Sequence, residues 1–120
     1  MVFRRRARHP ARREVERFEG WWRAEAMSPF PNIGGKIEWD GFDNGDSEIE
    51  LFATIPGIPD GSEIVVMWGH VEVMTALAHR SVIKRDLETK DGDDVPRLAG
   101  EQVELVHDGA VIARTRLDPD

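Results

Sequence analysis

The sequence predicts an all-β fold: an antiparallel sandwich or small barrel of about eight short strands, preceded by a basic arm. Three observations predict it. Beyond residue 17 the apolar residues recur with a period of two, which places them on one face of an extended strand. Turn-forming Gly, Pro, Asn and Asp clusters fall between these runs at roughly 8–12-residue spacing. No segment makes a convincing helix. A chain of 120 residues accommodates one such domain with an appendage, divided here into an arm, 1–17, and a body, 18–120.

The first strand is expected over Phe18–Ala26, with Phe18, Gly20, Trp22, Ala24 and Ala26 on one face and Trp21 on the other. A helix over residues 14–27 is the rival reading, weakened by Gly20 and the adjacent tryptophans. Met27–Gly35, with two prolines and two glycines, is a loop. Lys36–Gly41 alternates again, Ile37 and Trp39 inward. Asn44-Gly45 marks a tight turn, and Ser47–Ile55 answers with Ile49, Leu51, Ala53 and Ile55 inward, which makes a hairpin. Pro56–Gly61 stops the ladder. Glu63–Trp68 and His70–Leu77 form the next pair, with Val71, Val73, Thr75 and Leu77 sharing a face. Ser81–Thr89 reads as a strand with an imperfect alternation that a bulge would explain. Lys90–Gly100 is a polar loop, and Gln102–His107 with Ala110–Leu117 closes the chain as a hairpin on Asp108-Gly109. The two later hairpins echo one another in sequence when one residue, Asp108, is skipped; shared hairpin rules account for most of that echo.

The order Phe18-Glu-Gly-Trp-Trp-Arg-Ala, Gly35-Lys-Ile-Glu-Trp, then Glu48-Ile-Glu-Leu-Phe-Ala-Thr-Ile-Pro-Gly resembles the small all-β CHRD-like domains. The resemblance covers residues 18–117 in pattern and implies a sandwich. Those domains often carry closely spaced histidines after the third strand; this chain has only Trp68-Gly69-His70 there, so no activity follows from the likeness.

Charge is unevenly distributed. Residues 1–17 hold seven arginines against two glutamates, a net of +5, while the remaining 9 basic and 21 acidic residues give −12. An arginine-rich leader on an acidic body points to an anionic partner for the leader; the alternatives are a solvated tail or a leader that folds back on its own acidic body. The leader lacks the apolar stretch of a secretion signal, no run of 18 apolar residues exists, and the expected address is the prokaryotic cytoplasm or a particle assembled there.

The available chemistry is narrow. With no cysteine there is no thiolate nucleophile, disulfide or cysteine zinc site. No Gly-x-Ser-x-Gly elbow and no phosphate-binding glycine loop occurs, and the four histidines are scattered. No enzyme is expected, and no cofactor beyond calcium. Asp40, Asp43 and Asp46 offer hard oxygens on one hairpin, as do Asp91, Asp93 and Asp94 on a later loop, although Phe42 interrupts the usual calcium-loop spacing. His70 and His107 could share a transition metal only if the last hairpins bring them together. The more informative residues are apolar ones at outward positions: Trp21, Phe52, Met74 and Ile112. Together with Arg4, Arg5, Arg6, Arg8, Arg12 and Arg13 they predict a non-enzymatic binding or structural module that docks on a protein assembly or self-associates, Trp21 being the anchor. Nucleic-acid binding through the arm and calcium-dependent surface or carbohydrate binding are the alternatives.

Overall fold

A computed structural model describes residues 12–120. They form two five-stranded antiparallel sheets packed face to face as a sandwich. The strands are β1 (Glu14–Trp21), β2 (Arg23–Ala24), β3 (Gly34–Phe42), β4 (Ser47–Thr54), β5 (Glu63–Trp68), β6 (Val71–Leu77), β7 (Val82–Glu88), β8 (Gln102–His107), β9 (Ala110–Arg116) and β10 (Asp118–Pro119). Sheet A has the order β10-β1-β3-β4-β7, and sheet B the order β2-β9-β8-β5-β6. One 3₁₀ turn, Thr89–Asp91, follows β7.

The first predicted strand is two strands. The chain runs along sheet A to Trp21 and crosses at Trp22, whose indole is buried between the layers and whose backbone N–H donates to the Gly35 carbonyl at 2.9 Å. It then joins sheet B opposite β9. A large apolar side chain that enters the core at the crossing explains why the run cannot continue in one sheet. The start also differs: β1 takes in residues 14–17, which the charge pattern assigns to the arm, because Arg17 stands opposite Asp40 in the ladder.

The core is the expected set of alternating residues. Ile37, Trp39, Ile49, Leu51, Ala53, Ile83 and Leu87 come from sheet A, and Ile64, Val66, Val103, Leu105 and Ala113 from sheet B. Two glycines permit the close approaches. Gly35 has φ +100, and a Cβ there would lie 2.7 Å from the Ala53 Cα; one at Gly20 would lie 2.6 Å from the Arg116 carbonyl oxygen.

Met74 and Ile112 do not face outward; they are 4% and 2% exposed and belong to the core. Each follows from a bulge. Val66 pairs with Met74 but Met67 with Glu72, so Val73 is an extra residue. Leu105 pairs with Ala113 but Val106 with Val111, so Ile112 is the extra one. One inserted residue reverses the phase of everything beyond it. In β6, Met74 and Ala76 point inward and Leu77 is exposed, the opposite of the expected face, while Val71, before the bulge and opposite Trp68, is half exposed at the strand end. In β9 the bulged Ile112 is itself buried beside Ala113.

The bulges occupy equivalent places. Each hairpin has a two-residue turn, a bulge at the third residue of its second strand, and matching closing bonds. The Gly61 N–H donates to the Ala78 carbonyl, and the Gly100 N–H to the Leu117 carbonyl, each at 2.8 Å. The equivalent residues Val66 and Leu105 face each other where β5 meets β8, so an internal two-fold axis passes between them. The echo between the hairpins is thus shared geometry without a gap; Asp108 needs no skipping.

Candidate functional site

The outer face of sheet A is ordered in rows, because residues opposite one another in a ladder stand about 5 Å apart across the sheet. The first row is Trp21, Lys36, Phe52 and Lys84, aromatic and cationic side chains in alternation across β1, β3, β4 and β7. The second is Glu19, Glu38, Glu50 and Asp86. The third is Arg17, Asp40, Glu48 and Glu88. Seven carboxylates therefore occupy two adjacent rows.

Beyond the third row stand Arg12 and Phe42, the latter two residues past Asp40 on β3. The Arg12 guanidinium lies 3.8 Å over the Phe42 ring, donates at 2.9 Å to Glu48 Oε1 and at 3.3 Å to Asp46 Oδ2, and leaves Phe42 buried on the outside of the sheet. The chain is fixed at this point by paired bonds, from the Asp43 N–H to the Arg13 carbonyl (2.8 Å) and from the Arg13 N–H to Asp43 Oδ1 (3.0 Å). Arg17 Nε donates to Asp40 Oδ1 at 2.7 Å. Partial burial alone would lower the Arg17 pKa; the hydrogen bond and charge of Asp40, with Glu38 and Glu14, more than reverse this and leave it raised. Lys36 Nζ lies 2.6 Å from Glu38 Oε1 and 3.1 Å from Glu19 Oε2. The Glu38 bond foremost, with that to Glu19, raises its pKa against the effect of burial.

The first row differs in character. Trp21 is 61% exposed and Phe52 41% exposed. They border a groove of ≈ 450 Å³ with Gly35, Lys36, Leu51 and Lys84. Lys36 Nζ sits 5.3 Å from the centre of the Trp21 ring, so its stem and charge already face an aromatic surface. Lys84 is exposed and makes no ion pair among the described residues. Of the four apolar positions predicted to face outward, the structure brings Trp21 and Phe52 together in one row and withdraws Met74 and Ile112 into the core.

The predicted arginines divide. Arg4, Arg5, Arg6 and Arg8 lie outside the described residues. Arg12 is held by its own chain through Phe42, Asp46 and Glu48, and Arg13 is tied through its backbone to Asp43. The acidic trio also separates: Asp40 sits on the sheet face against Arg17, while Asp43 and Asp46 stay in the turn and serve Arg13, Arg12, Asn44 and Thr89. The carboxylates that converge closely enough to share one cation are instead Glu38, Asp40 and Glu50, with oxygens within 4.8 Å of one another. Asp93 accepts the Glu88 N–H. His70 and His107 stand at opposite ends of the antiparallel β5–β8 pair, about 20 Å apart along the strand, and cannot share an ion.

Lys84, Asp86 and Glu88 extend every row by one strand and were not candidates from sequence. Their alternation within Val82–Glu88 is regular, but only the pairing of β7 with β4 places them on this face. No protein-family model matches the chain, and no curated protein matches it.

Proposed function

We propose that this protein is a non-catalytic docking module that holds a protein partner, or a second copy of itself, on the outer face of sheet A, with Trp21 as the anchor. One observation carries the reading: two large aromatic side chains stand exposed in one row, on either side of Lys36, and the row's remaining members are cations. Exposed tryptophan beside a groove is the kind of group that dominates interface energies, since its indole supplies much apolar area at small entropic cost. Lys36 and Lys84 fit the row to a partner segment that mixes apolar side chains with carboxylates, even though the body as a whole is acidic.

A photo-crosslinking residue at position 52, read in the cell that makes the protein, tests this. The expected result is one discrete adduct, either twice the chain mass or a heavier species, that disappears in Trp21→Ala. The same probe at Glu63, on sheet B, serves as the reference. Adduct formation at position 52 no greater than at position 63 would overturn the proposal.

A further inference from the structure

We propose that one side of the sandwich is a strand-pairing surface for a second copy of the chain, held shut by Arg85, which straps β7 to β6. The inference stands apart from the docking role given to the Trp21 row.

The first argument is the contrast between the two sides of the molecule. On one side the chain changes sheets twice. β1 continues into β2 and β9 into β10, so the outermost strands there are only two residues long. On the other side β7 ends sheet A and β6 ends sheet B, each seven residues long. An edge strand of that length offers its N–H and C=O groups to any other strand. In an antiparallel ladder alternate residues turn these groups away from the neighbour. At the ends of β7 the chain itself takes them up: Val82 exchanges bonds with His79, and Glu88 bonds Asp93 through both its N–H and its carbonyl. Lys84 has the same phase and lies between these caps, with no strand beyond it among the described residues.

The second argument is the residue at the middle of the strand. Ile83, Arg85 and Leu87 share the phase that faces sheet B, and Ile83 and Leu87 are core residues. Arg85 stands opposite Leu51, itself 1% exposed, so the position suits an apolar side chain. The arginine there is exposed instead, and its Nη1 donates to the Thr75 carbonyl on β6. Its guanidinium therefore crosses between the two free edges, and an inward-pointing charge of this kind blunts an edge strand. The sequence of β7 complements itself about residue 85. In that antiparallel register Ile83 of one copy meets Leu87 of the other on the core face, and Lys84 meets Asp86 on the outer face. Arg85 alone would meet its own like charge, which opposes the pairing.

Light scattering of the full-length chain carrying Trp21→Ala, which removes the aromatic anchor, reads the mass with and without Arg85→Val. Arg85→Val is expected to double the mass as concentration rises. Arg23→Val, which removes one positive charge from the far side of the molecule, is expected to leave it unchanged. Hydrogen exchange locates the contact: the Lys84 amide is expected to exchange about tenfold more slowly in the associated chain. A mass equal to the parent's for Arg85→Val, or an equal rise in both variants, would overturn the proposal. So would association that leaves exchange at Lys84 at its original rate. Arg85→Thr is read in the same way and decides the question if the valine chain does not fold. None of these outcomes bears on crosslinking at position 52, because Trp21 is absent throughout.

Discussion

Lys36 joins the two halves of the candidate surface, since its stem passes the Trp21 ring and its ammonium bonds Glu38 and Glu19. Its pKa is raised above the ordinary 10.5 in the folded protein. The stabilisation it provides is therefore complete below that value and is lost as pH rises through the higher, folded one. Lys36→Met is expected to lower the unfolding free energy by about 1 kcal/mol at neutral pH. The gap to the native protein is expected to close in alkaline urea titrations past pH 10.5; a gap constant across that range would show that Lys36 acts through packing alone. Arg17→Gln is the harsher change, because Asp40 is 0% exposed and loses its 2.7 Å donor. A loss of roughly 2–3 kcal/mol is expected in the same titration at neutral pH.

At the scale of elements, period-two alternation made the strands legible, and the Asn44-Gly45 and Asp108-Gly109 pairs made two of the hairpins legible. The phase of β6 was not. A bulge inserts one residue without a fixed sequence signature, and its only trace was apolar side chains, Met74 and Ile112, on what an unbroken alternation makes the wet face. Those two residues signalled a change of phase in β6 and a buried bulge residue in β9, not a surface. Melting variants distinguish the phases directly. Met74→Ala is expected to cost about 2–3 kcal/mol, the usual penalty for emptying a core site, and Leu77→Ala within about 0.5 kcal/mol. The reverse order would restore the unbroken alternation. The rows on sheet A were half legible: Lys36, Glu38, Asp40, Glu48, Glu50 and Phe52 were outward by alternation alone. Their grouping needed the pairing of β7 with β4 and of β1 with β3, which are long-range choices that local pattern does not determine.

For the whole molecule, a leader of +5 is joined to a remainder of −12. Much of the acidity is concentrated on one face of one sheet, at the place where the leader joins the body. Sheet B carries its charges singly and in pairs, such as Arg114 with Glu25 and Glu104. The Trp21 row adjoins these carboxylates, and the proposed docking role rests on it. Crosslinking at position 52 tests that role most directly when Trp21→Ala and Lys84→Gln are read beside the native chain. The adduct is expected to vanish in the first variant and to weaken several-fold in the second. An adduct of equal yield in all three would contradict the account.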